Sequence, residues 1–378
     1  HFVESAFMFL TPRVIGRLAL TAIASVAVTL PVLAQSKEEK KAQEAQQQVT
    51  RTLVRAADAL QAGRLGDGGG YTIKANGKDD PTASPADAVQ VSWRHTAFKA
   101  VEGRIYMPFT ISFEGGTGKA LPANVALYVR VVPKGTELPT KGRDKVTFEF
   151  EQVFTGDAAA PAAGKPLELT RRIVVTPGDQ DVYLTMQTAP GAEPVKNDVM
   201  LKGVARKFEL AVPDLWNAGL TTSDLLLIDK IEPLKEPPTQ ETIVFKPYTF
   251  TGADMQLAAD NEFKKTEELT VYFHVYNPVI EDKRPDITIE YEFLRKKDGA
   301  EFEAALTEDG KKLVYNPQKY NAQTLPPQWD AEAGFQIAPG FAIPLNLFPV
   351  GDYKINIKIT DNKAQKTITR ELTFKVVA

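Results

Sequence analysis

Apolar residues return at every second position through much of this chain. Ile105, Met107, Phe109 and Ile111 form one such run, Val125, Leu127 and Val129 a second, and Phe208, Leu210 and Val212 a third. A period of two belongs to a strand with one face buried. The same three blocks come back 164 residues later, as Leu269, Val271, Phe273 and Val275, then Ile289, Tyr291 and Phe293, then Leu372, Phe374 and Val376, with Gly135 returning as Gly299. Unrelated strands have no reason to keep the total length of the loops between them, so one offset shared by three blocks points to a duplicated module.

Other alternating runs fill the space between the blocks: Val89, Val91 and Trp93; Val146, Phe148 and Phe150; Ile173 and Val175; Val182, Leu184 and Met186. Turn-rich clusters such as Ala158 to Lys165 and Pro177-Gly178-Asp179 separate them. Short strands fenced by Gly, Pro and Asp predict an antiparallel sandwich. The expected fold class is therefore all-β, with two tandem immunoglobulin- or fibronectin-like β-sandwiches, an N-terminal signal peptide and one amphipathic helix.

That helix starts from a capping-box pattern, Ser36 with Glu39 three residues on. Ala42, Ala45, Val49, Leu53, Ala56 and Leu60 then recur at steps of three and four, a narrow apolar stripe on a helix running to about Gly63. Its upstream half, with Gln46, Gln47 and Gln48, is polar, so it is expected to fray or project. The stripe fits packing on the first sandwich better than a self-associating coil, which wants three or more strongly apolar heptads. Gly66, Gly68, Gly69 and Gly70 form a flexible joint behind it.

The expected organisation is a signal peptide over 1–34, the helix over 35–66, a first sandwich over 67–212 and a second over 213–378. Leu225 to Ile228, fenced by Pro213 and Pro233, reads as the first strand of the second sandwich. Further strands are expected at Ile243 to Phe245, Leu269 to Tyr276, Ile287 to Leu294, within Phe335 to Leu347, at Tyr353 to Ile359 and at Ile368 to Val376. Pro237-Pro238 stiffens an early loop.

At the N-terminus, Arg13 and Arg17 precede an apolar run from Leu18 to Leu33, broken by Pro31 and ending in Val32-Leu33-Ala34. Basic residues, a short apolar run and small residues at the end are the parts of a secretory signal peptide. The run is short for a membrane span of roughly 20 residues. Met8 stands where a start would place both arginines in a basic n-region, so His1 to Phe7 are expected to be an over-extended gene start. Gln35 and Ser36 follow the cleavage point, and no cysteine is there to carry a lipid. The mature protein is expected to be exported, periplasmic or secreted, and not membrane-spanning.

The whole chain has no cysteine, so neither disulfides nor thiolate chemistry enter. Its cores must hold by packing, and 378 residues suffice for two. Removing residues 1–34 takes away Glu4, Arg13 and Arg17 and leaves a slightly acidic balance. That surface lacks the basic stripe phosphate neutralisation requires, so nucleic acid is not an expected partner.

Candidate chemistry is thin. After cleavage only His95 and His274 remain, and neither H-E-x-x-H nor a G-x-S-x-G elbow occurs. Neither histidine is expected to be catalytic, and no metal or cofactor is expected. Gly115-Gly116-Thr117-Gly118-Lys119 imitates a phosphate loop, but Phe113 stands where Gly is needed and Ala120 where Ser or Thr is needed, so it reads as a glycine-rich turn. Asp79-Asp80, Asp179 with Asp181, and Glu308-Asp309-Gly310 are acidic loops of the kind that hold calcium in sandwich modules. None has D-x-D-x-D-G spacing, and solvated turns are expected. Tyr272, His274 and Tyr276 alternate with Phe273 and Val275, which predicts an outward row of rings able to stack on a sugar or meet a protein, or else to pack on a neighbouring element. Trp329, in Leu325-Pro326-Pro327-Gln328-Trp329, lies in a long loop that either reaches the same surface or plugs the end of the sandwich.

Ser223-Asp224-Leu225-Leu226-Leu227, Val271 to Asn277, Ile343-Pro344-Leu345, Phe348-Pro349-Val350-Gly351-Asp352-Tyr353 and Arg370 to Phe374, in that order, resemble the C-terminal sandwich module of exported bacterial proteins that carry a GWxTD-motif domain, and of related secreted proteins with von Willebrand A-like domains. The resemblance covers about residues 220–378. The GWxTD motif itself is absent, since Trp93, Trp216 and Trp329 stand in other contexts, and so is a D-x-S-x-S metal loop. The resemblance implies an exported sandwich protein and carries over no catalytic residue. The chain therefore reads as an exported, non-enzymatic interaction or scaffold module of the bacterial cell envelope, its partner another envelope or secreted protein. The alternative is a carbohydrate-binding or carbohydrate-active secreted protein using the Tyr272/Tyr276 face.

Overall fold

The computed structural model describes residues 36–84, 90–114, 124–139, 146, 148–157, 166–189, 191–236, 238–250, 252–297, 299, 301–331 and 335–378. The signal-peptide segment, Val89, the glycine-rich Gly115 to Lys119 turn, Ala158 to Lys165 and Pro237 lie outside the described residues. By packing, the described chain forms two units: one of residues up to Thr96 together with 100–213, the other of Ala97 to Lys99 together with 214–378. Each contains a β-sandwich.

In the first unit, α1 (Lys37–Gln61) is followed by β1 (Gly68–Lys74), β2 (Thr82–Ser84) and β3 (Gln90–His95). After β4 (Phe98–Lys99), which belongs to the second unit, come β5 (Ile105–Glu114), β6 (Asn124–Pro133), β7 (Phe150–Asp157), β8 (Leu167–Val175), β9 (Gly178–Thr188) and β10 (Met200–Val212). One sheet has the order β2-β1-β10-β9-β6-β7; facing it, β5 lies between β3 and β8, and these pairs are antiparallel. Trp93 on β3 stacks on Phe109 at 4.5 Å and reaches Phe208 of the opposite sheet at 5.8 Å, while Phe109 meets Phe154 edge-on at 6.2 Å. Those rings mark the seam between the two sheets. Gly178, at φ +123°, makes the tight turn from β8 to β9 that a side chain would resist.

The second unit runs through β11 (Thr221–Thr222), β12 (Leu226–Pro233), α2 (Gln240–Phe245), β13 (Thr249–Phe250), β14 (Ala253–Leu257), β15 (Glu262–Lys264), β16 (Glu268–Tyr272), β17 (Val275–Tyr276) and β18 (Ile287–Lys296). It ends with β19 (Phe302–Ala304), β20 (Gln318–Tyr320), β21 (Gly340–Pro344), β22 (Gly351–Asp361) and β23 (Lys366–Val377). Its two larger sheets have the orders β13-β14-β12-β16-β21 and β15-β23-β22-β18-β19, with β20 pairing β18 off the second, and β11 pairs with β17 apart from them. Ile243 to Phe245, expected as strand, is the end of the short helix α2; three apolar-looking positions do not distinguish one helical turn from a strand.

The two units share part of their strand order. β6, β9 and β10 are neighbours in the first copy as β18, β22 and β23 are in the second, and β5 between β3 and β8 corresponds to β16 between β12 and β21. Phe109 lies on β5 and Phe273 directly follows β16, both fully buried, and Leu210 and Phe374 are buried as well. The hairpin closing β9 to β10 spans 189–199 and that closing β22 to β23 only 362–365, a difference balanced by longer connections between β18 and β22.

The two copies differ on the outer face of the larger sheet. In the second, Glu290 pairs with Lys358 at 3.0 Å and Glu292 accepts from Asn356 at 2.8 Å, a solvated polar ladder. In the first, the corresponding outward positions of β6 are Ala126, Tyr128, Arg130 and Val132, all buried, because α1 lies on them. The helix carries the expected capping box and buries Val49, Leu53, Ala56 and Leu60, with Ala57 and Ala59 widening the stripe. Ala42 is exposed, in the polar upstream end. The long 189–199 loop holds the helix too: Gln48 and the Val195 backbone exchange hydrogen bonds of 2.9 and 3.0 Å.

Arg130 lies fully buried beneath the helix. Its guanidinium donates to Asp58 Oδ1 at 2.7 Å, Gln61 Oε1 at 2.9 Å and the Tyr128 hydroxyl at 2.9 Å, and stacks over Phe148 at 4.3 Å. Glu151 Oε1 stands 3.6 Å away and accepts the Tyr128 hydroxyl proton. A buried guanidinium is tolerable only while its carboxylates stay. Asp58→Ala is expected to lower the unfolding free energy by about 3 kcal/mol in urea titrations, whereas replacing Arg130 and Asp58 together by Met and Leu is expected to cost about 1 kcal/mol or less.

Candidate functional site

The residues singled out by the sequence gather in the second unit. β16 ends at Tyr272, the ladder is interrupted at Phe273 and His274, and β17 resumes at Val275. Phe273 and Val275 point into the main core with Leu269 and Val271. Tyr272, His274 and Tyr276 share the opposite face, as alternation predicts. Of the two expected alternatives the packed one holds: Tyr272 and His274 are 7% exposed and Tyr276 3%. A second aromatic layer roofs them. Phe250 of β13 stacks 5.8 Å from Tyr272 and meets His274 at 5.7 Å, and Phe98 meets His274 edge-on at 5.5 Å and Phe250 at 4.7 Å. An open stacking surface for a sugar at these tyrosines is thereby corrected to a closed cluster.

Both imidazole nitrogens of His274 are engaged, Nε2 with the Tyr272 hydroxyl at 2.8 Å and Nδ1 with the Tyr276 hydroxyl at 3.1 Å. Whichever nitrogen carries the proton donates, and the other accepts from a phenol. The His274 N–H donates to Ser223 Oγ and its carbonyl accepts the Ser223 N–H, both at 2.9 Å. Burial lowers the imidazole from its ordinary 6.5 to about 4, only partly opposed by a hydrogen bond to Gln336. Burial also raises the Tyr276 phenol, against the Lys99 N–H that it accepts. Neutral imidazole between neutral phenols is the stable arrangement, and it leaves no free base.

Lys99 closes one end of the cluster. Its Nζ donates to Asn277 Oδ1 at 2.5 Å and lies 4.6 Å from the ring centre of Trp216 and 5.2 Å from that of Tyr276. Burial lowers its pKa, with the Asp214 carboxylate acting the other way. Asn277, at φ +59°, turns its Nδ2 onto the carbonyls of Leu215, Ala218 and Gly219 at 2.9, 2.8 and 3.2 Å, a left-handed geometry that asparagine tolerates. No sequence pattern reveals that Phe98, Phe250 and Lys99 belong here, since each is isolated in its own short segment.

Trp329 does not join the cluster. It is 5% exposed in the main core, with Arg284 5.9 Å from its ring centre, the plug of the two expected alternatives. His95 ends β3 and is exposed. The acidic loops are paired with cations: Asp79 with Lys74, Asp80 with Arg55, Asp181 with Lys207, Asp309 with Lys311 and Glu308 with Lys265. Among the described residues no three His, Cys, Asp or Glu converge as a metal site, and no helix is long and apolar enough to cross a membrane. A shallow groove of about 340 Å³ between α1 and the 189–199 loop is lined by polar side chains such as Glu44, Gln47 and Arg51.

No protein-family model matches the chain, and no curated protein does. Among solved structures, it is similar to Salmonella alpha-2-macroglobulin in its Y1175G mutant form at 12% identity and TM-score 0.21, over 82% of this chain and 18% of that one. The same protein reacted with methylamine gives 11% identity and TM-score 0.20 over 82% and 18%. Escherichia coli alpha-2-macroglobulin activated by porcine elastase gives 11% identity and TM-score 0.22 over 79% and 24%. This chain thus spans less than a quarter of those proteins' length.

The cluster sets a pH dependence. Protonating His274 is disfavoured in the folded chain, so its stabilising contribution is full above its ordinary pKa of 6.5 and is lost as pH falls toward about 4. Urea titrations are expected to show this component as about 1.4 kcal/mol per pH unit inside that window, about 3 kcal/mol in all, and to show a slope shallower by that amount in His274→Gln.

Proposed function

We propose that this chain is an exported, non-enzymatic tandem β-sandwich protein that acts as an interaction or scaffold module of the bacterial cell envelope, periplasmic or secreted. The observation that carries the reading is the use made of His274. The most chemically versatile side chain of the second sandwich is buried, neutral and held at both ring nitrogens by tyrosines, so it serves packing. Arg130, the most buried cation of the first sandwich, is likewise bound by groups of its own unit. Duplicated rigid sandwiches whose polar side chains are engaged with one another suit a protein that presents surfaces. The basic residues, apolar run and Ala34-Gln35 junction support export, and the partner is another envelope or secreted protein.

Two measurements test this. N-terminal sequencing of the protein recovered from a bacterial envelope fraction is expected to begin at Gln35; an uncleaved cytoplasmic chain would contradict export. Photo-cross-linkers placed at exposed Val314 and Leu347 are expected to trap a discrete heteromeric adduct in the envelope. Uniformly monomeric protein in the same experiment would remove the interaction role.

A further inference from the structure

Residues 97–99 are flanked in sequence by β3 and β5 of the first unit, yet they pack as part of the second. All three are engaged, each by a different kind of contact. The Ala97 N–H donates to Asp224 Oδ2 at 2.8 Å, and its carbonyl accepts the Asp224 N–H at 3.4 Å. Phe98, 1% exposed, inserts its ring against Phe250 and His274. The Lys99 N–H donates to the Tyr276 hydroxyl at 3.2 Å, and its ammonium reaches Asn277 and the faces of Trp216 and Tyr276. Backbone hydrogen bonds along a short extended segment, with a pocket for one side chain and a polar clamp for the next, are how proteins bind peptides.

We propose that Ala97-Phe98-Lys99 is a built-in strap, an intramolecular peptide ligand that completes the second sandwich. Residues 214–378 are then an open domain by themselves: without Phe98, the imidazole and the Phe250 ring lose the apolar wall that keeps water from the tyrosine–histidine hydrogen bonds. Because the ligand is covalently attached, its effective concentration is high and the groove stays filled. On this proposal the second folding unit comprises residues 97–99 together with 214–378. The inference is independent of the envelope role.

Hydrogen exchange on the full chain tests it. In Phe98→Ala, amides of 221–228 and 270–277 are expected to exchange roughly a hundredfold faster or more, with 124–132 and 182–188 unchanged. Lys99→Ala is expected to change the same segments by a smaller factor. Should Phe98→Ala loosen the whole chain, Phe98→Leu, which keeps most of the volume, decides by the same readout. Faster exchange confined to 90–113, or unchanged protection at 221–228 and 270–277, would overturn the strap.

Discussion

Everything in this molecule depends on the apolar seam between two facing sheets, made twice. With no cysteine there is no covalent cross-link to share the load. In the first copy the seam is Trp93, Phe109, Phe154 and Phe208; in the second Tyr291 of β18 meets Phe341 of β21 at 4.6 Å, beside a ring set of Phe293, Phe348, Tyr353 and Phe374 with centroids 5.2 to 6.1 Å apart. Each such ring contributes about 1.5–3 kcal/mol by leaving water. Alternate positions on the central strands are therefore constrained to be apolar.

Outside the seam the copies were free to diverge, and they did so according to what covers the outer face. β18 keeps Glu290 and Glu292 outward and meets water. β6 replaces them with Ala126 and Tyr128 and meets α1. Covering that face brought Arg130 under the helix, and Asp58, Gln61 and Glu151 follow as its necessary partners. In the second unit the corresponding elaboration lies on the smaller sheet, where Phe98 and Phe250 roof Tyr272, His274 and Tyr276.

How far the sequence could be read follows from these differences. Alternation located the central strands and the repeat, because the seam imposes it. The helix was legible through Ser36, Glu39 and its apolar steps, whereas the alternation of Val125, Leu127 and Val129 did not reveal that β6 is covered on both faces. The ring cluster was read half correctly. A period of two says that Tyr272, His274 and Tyr276 share a face, but says nothing of whether another element covers it, and tyrosine and histidine suit a wet or a dry site equally. Phe98 was illegible because its partners are more than a hundred residues away and it sits in a two-residue strand. Ile243 to Phe245 misled because one helical turn is shorter than either period needs.

The account joins a tandem pair of sandwiches to the proposed role of presenting surfaces. Its central claim is that both copies are built around equivalent strands. Native-state hydrogen exchange on the unmodified chain tests this most directly. The slowest amides are predicted on Met107 to Ile111, Val125 to Val131 and Val182 to Met186, and equally on Leu269 to Val271, Ile289 to Phe293 and Ile355 to Ile359. Strong protection in one copy with none at the corresponding strands of the other would contradict it.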